Sequence, residues 1–429
     1  MRSLIPDSLK TLSRDASLLF ISRFTRLFAY GSLSVILVFY LVSLGLTETQ
    51  VGLLLTLTLA GDLIISLFLT TQADRLGRRR MLIAGAILMA AAGVAFGSTR
   101  NLLFLLIAGT IGVVSPSGNE VGPFLSIEQA ALSHVVSERS RTEVFAWYTL
   151  AGSVATALGA LFAGAAAELL QRASVPAFDS YRSVVLLYAL LGLVLALLFW
   201  RLSSAVEVSP SADNPASRLE ARNFLGVHAS RNVVLKLSSL FALDSFAGGF
   251  VIQSFAAYWF YLRFGVAPAK LGLIFFWANL FAGVSALLAT RLAARFGLVR
   301  TMVFTHLPSN ILLILVPLMP SLPLAVLVLL LRFSLSQMDV PTRQSYTMAV
   351  VRPEERSAAG GITGAARTAG AAISPLFAGF LFSRPLLIDV PFFVAGALKI
   401  LYDLILYRSF ASLRPPEEGD QHLREMRRP

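Results

Sequence analysis

The sequence contains no cysteine, which removes a disulfide framework, a thiol nucleophile and any cysteine-based metal site. Charge is scarce too. Only 14% of the 429 residues are Asp, Glu, Lys or Arg, against roughly 25% in soluble globular domains. Long polar stretches are almost missing, residues 203–231 being the only one. There is no G-x-x-x-x-G-K-S/T loop, nucleophile–base arrangement or metal-ligand spacing. These absences exclude a soluble enzyme, a nucleic-acid-binding protein, a secreted scaffold and an ATP-driven machine within this chain, and they imply no metal and no cofactor. What is abundant is apolar: 56% of the residues, about 240. At about 20 apolar residues per crossing of a ~30 Å hydrocarbon core, that supports roughly twelve spans.

Apolar runs bounded by charged or Gly/Pro-rich breaks give twelve candidates, at about 16–44, 51–72, 81–98, 102–134, 144–170, 183–202, 234–262, 271–292, 301–319, 322–350, 358–383 and 390–408. The first run is too long for a cleavable signal and no small-residue site follows it. Of 36 Lys and Arg, 24 fall at the N-terminus, in the even-to-odd loops and in the C-tail. Six fall on the opposite side and six inside spans. That asymmetry is the positive-inside pattern and expects both termini in the cytoplasm, with the protein in the cytoplasmic membrane. The net charge of +12 is then mostly a topology device. The expected organisation is an N-terminal six-helix bundle (1–202), a cytoplasmic linker (203–231), a C-terminal six-helix bundle (232–409) and a cytoplasmic tail (410–429).

The halves repeat. TTQADRLGRRR (70–80) aligns with TRLAARFGLVR (290–300) at an offset of 220, with five identities in eleven. RTEVFAWYTLAGSVATALGALFAG (141–164) aligns with RSAAGGITGAARTAGAAISPLFAG (356–379) at an offset of 215. Two like six-helix bundles imply a pseudo-two-fold axis along the membrane normal. The shrinking offset leaves five extra residues in the first half, and the fourth span shows where. Residues 102–134 would form a helix of ~50 Å, yet SPSGNEVGP (115–123) interrupts it with residues that helix interiors reject. A discontinuous helix beside a transport path is expected there. A kinked, tilted helix or a shorter span with a folded loop remains the alternative.

The loop after span two, ADRLGRRR (73–80), resembles the signature loop of the major facilitator superfamily. Asp74, Arg75, Gly77, Arg78 and Arg79 occupy its D-R-x-G-R-R/K positions. Twelve spans and the six-plus-six repeat agree with that family. The resemblance implies an all-α membrane fold of two pseudo-symmetric bundles, and secondary transport by a rocker switch with spans one, four, seven and ten lining the path. Two departures stand out: Thr70 where the family has glycine, and Ala294 where the second copy would carry the acid. ATALGALFAG (155–164) weakly resembles an efflux-antiporter motif, keeping Gly159 and Gly164 but lacking its proline. Independently of the family, a carboxylate at Asp74 could face the N-terminal amides of span eleven near Gly360 and Gly361. Those five loop residues are therefore gating candidates, with simple anchoring as the alternative.

Each ionisable residue within a span costs at least ~2.5–3.5 kcal/mol and needs a partner or a function. The cations are Arg23, Arg26, Arg332, Arg343, Arg367 and Lys399; the anions are Asp62, Glu120, Glu128, Asp244, Asp339 and Asp403. Lys399 and Asp403 are i,i+4 neighbours and are expected to pair. Glu128 and Arg343 fall on equivalent repeat positions, which suggests a gate bridge; an Asp339–Arg343 pair competes with it. Arg23, Arg26 and Arg367 could bind an anionic substrate through the guanidinium fork, or be neutralised by Asp62, Glu120 and Asp244. Gln253 in span seven joins these six as a substrate-binding candidate. A carboxylate out of water holds a proton more readily, which makes Glu120 or Asp244 the expected proton carrier. Tyr258, Trp259 and Tyr261 fit an interfacial belt. His134, His228 and His306 read as loop or helix-end residues.

The expected protein is a monomeric, non-enzymatic secondary transporter in a lipid bilayer. It would move a small organic solute, an anion first, and would be coupled to a proton. A multidrug or metabolite efflux antiporter is the alternative, and a non-transporting receptor or assembly factor the reading from another class.

Overall fold

The computed structural model describes residues 12–136, 141–207, 230–352 and 355–410, apart from the side chains at 74, 141, 142, 290 and 357. The described residues are helical throughout their regular structure, with no strand. The first half comprises α1 (Arg14–Ser43), α2 (Glu48–Leu76), α3 (Arg78–Ser98), α4 (Leu102–Ile111), α5 (Phe124–Val135), α6 (Arg141–Arg172) and α7 (Ala177–Trp200). The second comprises α8 (Arg231–Gly249), α9 (Gln253–Phe264), α10 (Pro268–Phe296), α11 (Leu298–Leu315), α12 (Leu322–Ser336), α13 (Asp339–Ala349), α14 (Arg356–Phe382) and α15 (Val390–Phe410). Local chemistry sets the ends. Ser13 accepts the Ala16 N–H at the start of α1, and α2 opens on a capping box in which Thr47 and Gln50 satisfy one another's amides. Eleven segments are long and apolar enough to cross a membrane, and α4 with α5 forms the remaining, interrupted span, which agrees with twelve.

The fourth span is discontinuous, as its sequence suggests. Residues 112–123 leave the helix, with Gly118 at φ 72° and Gly122 at φ 79°, conformations costly for any residue with a Cβ. Broken backbone at membrane depth must find internal partners, and side chains from five helices supply them. Asp62 accepts the Gly122 N–H at 2.6 Å. Tyr30 and Tyr188 donate to the carbonyls of Val121 and Val113. Thr156 donates to the Gly118 carbonyl and Ser254 to that of Pro116. Spans seven and ten, expected at 234–262 and 322–350, are found at Arg231–Phe264 and Leu322–Ala349 and are also interrupted. In span ten, Pro341 cannot donate to the Gln337 carbonyl, so α12 stops and α13 restarts at Asp339. In span seven the chain leaves the helix after Gly248–Gly249.

By packing, the chain falls into two units: Met1–Ser211 with Val251–Leu280 and Pro375–Ile388, and Ala212–Phe250 with Phe281–Ser374 and Asp389–Pro429. In the first unit α1 lies against α6 and α7, and α3 against α7. This unit also takes in α9, the start of α10 and the end of α14. They are fastened to it at the end where α1 turns into α2. Tyr258 donates to Glu48 at 2.8 Å, the Ala269 amide to Glu168 at 3.0 Å and the Leu376 amide to Thr56 at 3.0 Å. A Cβ on Gly164 would sit 2.3 Å from the Pro268 carbonyl oxygen and 2.9 Å from Gly272 Cα. The efflux-like glycine therefore has a packing duty: only hydrogen fits there.

At the other end of this unit, residues after α7 fold back. Ser203 donates from its amide and hydroxyl to Asp15, while Glu207 accepts the amides of Arg78 and Arg79 at 2.7 and 3.2 Å. A carboxylate thus caps the positive end of α3, and the first residues of the expected linker are held. The second unit centres on Leu237, Phe241, Met302, Tyr346 and Tyr402, drawn from α8, α11, α13 and α15.

Gly164→Ala is expected to lower the melting temperature in detergent, at a cost of about 1–3 kcal/mol from overpacking. Gly361→Ala, with open space around its Cβ, should be neutral or stabilising by up to ~1 kcal/mol. Equal shifts for the two would contradict the close crossing.

Candidate functional site

Intramembrane charge is handled separately within each unit. In the first, Arg26 on α1 is fully buried. It meets Glu128 of α5 in a two-pronged pair, Nη1–Oε1 and Nη2–Oε2 both 2.7 Å. Its other edge reaches Glu120 at 3.1 Å, and Arg23 reaches the same carboxylate at 2.7 Å. Glu128 also accepts the hydroxyls of Ser22 and Tyr148, so every lone-pair direction of this buried carboxylate is used. The two guanidinium groups lie over aromatic faces, Arg23 over Tyr148 at 4.4 Å and Arg26 over Phe124 at 4.8 Å. Asp62 stands apart: its partners are the Gly122 amide and the Ser66 hydroxyl, with no cation among the described residues.

In the second unit, Asp244 of α8 is the hub. Lys399 of α15 binds Oδ1 at 2.5 Å and Arg343 of α13 binds Oδ2 at 2.9 Å. Arg343 also reaches Asp339 one turn earlier at 3.4 Å. The expected Lys399–Asp403 pair does not form. Asp403 instead takes His306 Nδ1 at 2.8 Å and the Asn310 amide at 2.9 Å, because α11 lies across α15 and offers donors closer than the next turn of its own helix. His306 is correspondingly a buried mid-helix residue and not a helix-end one, whereas His134 does lie in the last turn of α5. Asp244, His306 and Asp339 bring one ligand atom each within 4.8 Å of one another. Both oxygens of Asp244 are already held by cations, a donor set that repels a metal ion.

Two arginines are left over. The side chains of Arg332 near the end of α12 and Arg367 in the middle of α14 make no hydrogen bond or ion pair among the described residues, and the Nε of each is buried without a partner, as it is also in Arg23 and Arg343. Arg332 lies over the Phe333 ring at 4.9 Å. Both are within Coulombic reach of Asp244, and Arg367 also of Arg343 and Asp339. Of the candidates drawn from the sequence, Arg23, Arg26 and Glu120 are brought together with Glu128. Asp244 is brought together with Arg343 and Asp339. Gln253 is elsewhere, donating to Ser34 at 2.8 Å. In the signature loop, Gly77 adopts φ 102°, Arg78 and Arg79 engage Val206, Leu202 and Glu207, and Arg75 is exposed. The Asp74 side chain, and with it its pairing near Gly360 and Gly361, lies outside the described residues. Sequence reasoning missed His306, Asn310 and Tyr148 as partners; a histidine or tyrosine one or two turns inside an apolar run was the available signal.

The Major Facilitator Superfamily model matches residues 19–330 and 237–428. An uncharacterized membrane protein of Saccharomyces cerevisiae, YJR124C, is 33% identical over 422 residues, covering 92% of this chain and 94% of that protein. Similar solved structures include the nucleoside transporter NupG, with TM-score 0.70, 13% identity and coverage of 93% and 99% of the two chains. The human organic anion transporter MFSD10 has TM-score 0.61, 17% identity and coverage of 94% and 100%. The D-xylose–proton symporter has TM-score 0.69, 16% identity and coverage of 91% and 97%. The chain belongs to the major facilitator superfamily of transporters and is a multi-pass membrane protein.

Removing Arg26 strands the fully buried carboxylate of Glu128, so Arg26→Ala should destabilise the protein by roughly 3–5 kcal/mol. Arg23→Ala should cost clearly less, since Glu120 keeps Arg26. Thermal melts of the two variants check this ordering, and the reverse ordering would contradict it.

Proposed function

We propose that this protein is a secondary transporter that carries a small organic anion across the membrane by alternating access, coupled to a proton. The observation that carries the anion is the pair Arg332 and Arg367. A cation within a span costs several kcal/mol unless paired, and these two half-buried arginines have no carboxylate at ion-pair distance among the described residues; their Nε atoms are buried without a partner, as are those of Arg23 and Arg343. Every other intramembrane cation in the described residues has a carboxylate. A guanidinium held without one fits a role in binding an incoming carboxylate or phosphate, whose two oxygens match its fork. Arg23 and Arg26, by contrast, are neutralised by Glu120 and Glu128, which favours a structural role for them. One of the similar structures is of an organic anion transporter; at 17% identity that likeness concerns the fold, and the arginines carry the reading.

The distribution of Lys and Arg supports cytoplasmic termini in the cytoplasmic membrane. The end fastened by Tyr258–Glu48 and Ala269–Glu168 then faces away from the cytoplasm. Loosening it would be part of the transport cycle, with Asp74, Arg75, Gly77, Arg78 and Arg79 acting at the cytoplasmic end.

Thermal stabilisation of the purified protein in detergent tests the anion. The ligands would be benzoate, citrate, inorganic phosphate and tetraphenylphosphonium. A ligand at 100 times its dissociation constant adds about 2.7 kcal/mol. Stabilisation by one or more anions is expected, and Arg332→Ala and Arg367→Ala should abolish it while folding normally, since neither strands a carboxylate. Stabilisation by the phosphonium alone, equal in wild type and both variants, would overturn the reading.

A further inference from the structure

His306 is a buried titratable group that anion binding by Arg332 and Arg367 leaves unused. It is 4% exposed, in the middle of α11, and each ring nitrogen faces a carboxylate from a different helix. Nδ1 lies 2.8 Å from Asp403 of α15 and Nε2 lies 3.7 Å from Asp244 of α8. The Tyr402 ring packs edge-on against the imidazole, and Asn310 completes Asp403 from the next turn of α11. The remaining charged groups around the pair are Lys399 and Arg343 on Asp244, Asp339 behind Arg343, and Arg332 and Arg367 within Coulombic reach of Asp244.

A neutral imidazole has one N–H, enough for Asp403 at 2.8 Å; only the imidazolium also turns a positive N–H toward Asp244, which at 3.7 Å is within ion-pair reach. Imidazole is the side chain whose charge changes in the physiological range. The local charge count is responsive to a ligand. Asp244 and Asp339 face Arg343 and Lys399 in direct pairs, Asp403 is held by His306 and Asn310 alone, and Arg332 and Arg367 add positive field nearby. An anion on those arginines would cancel that field and make a positive charge on the ring favourable. We propose that His306 carries the coupled proton, accepting it between Asp403 and Asp244 when an anion occupies Arg332 and Arg367. The proposal rests on the anion reading above. Binding of the two ligands is reciprocal, so the anion draws in the proton and the proton tightens the anion. The step is a simple protonation at Nε2: the N–H forms with the incoming proton and points to Asp244, while Nδ1–H stays on Asp403.

The test is proton uptake by the full-length protein in weakly buffered detergent solution, followed with a pH-indicator dye as benzoate, citrate or inorganic phosphate is added. Wild type should take up about one proton per bound anion, by linkage. His306→Gln, which keeps a hydrogen-bonding amide, should still show anion-induced thermal stabilisation but with uptake abolished. His306→Lys, with a fixed charge, should behave alike and serves if the glutamine variant does not fold. Uptake unchanged in either folded variant would overturn the proposal while leaving the anion reading intact. Absence of anion-induced stabilisation in wild type itself would overturn the anion reading, and the proposal with it.

Discussion

An ion placed in an apolar interior must be paired, and that requirement organises this protein. Each unit meets it within its own helices. Glu128 and Arg343, equivalent in the repeat, carry opposite charges, and each is matched from the first span of its own half: Arg26 on α1 for Glu128, Asp244 on α8 for Arg343. The polarity of the pair is reversed while its placement is kept. These pairs are local to a unit, so each unit satisfies these charges from its own helices.

The same requirement extends to the backbone. The fourth span opens over residues 112–123 and would expose peptide groups at membrane depth. Asp62, Tyr30, Tyr188, Thr156 and Ser254 fill that need from five helices. The break also carries Glu120 toward Arg23 and Arg26, so an irregular stretch of chain and a charge network are one construction. Disturbing the Asp62–Gly122 hydrogen bond should therefore reach Arg26 through a few residues of intervening chain.

Much of this was legible in the sequence. Span number, the repeat, the signature loop and the break in span four all rest on local composition: long apolar runs, glycines and prolines. Partner choice was legible only in part: the Asp339–Arg343 contact and the neutralising of Arg23 and Arg26 by Glu120 were among the expected pairings, and others were not. Lys399 and Asp403 share a helix face, and i,i+4 spacing suggests a bond, but tertiary neighbours came closer on both sides, Asp244 for the lysine and His306 with Asn310 for the aspartate. His306 itself sits two residues before Pro308 in a run that reads as a helix end, yet the helix continues through the proline. The break in span ten did have a signal in Asp339-Val340-Pro341. The capping role of Glu207 had none, because the distance from residue 78 to residue 207 along the chain hides their proximity.

The central claim is that the charge left unpaired in the second half, Arg332 and Arg367, defines the cargo. Charge displacement in proteoliposomes on a solid-supported membrane tests it most directly, using rapid jumps of anionic, neutral and cationic solutes. The account predicts transient currents evoked by anions, absent with either arginine replaced by alanine and preserved in Arg263→Ala, an exposed arginine given no part in binding or gating. Currents evoked by cations or independent of both arginines would contradict it.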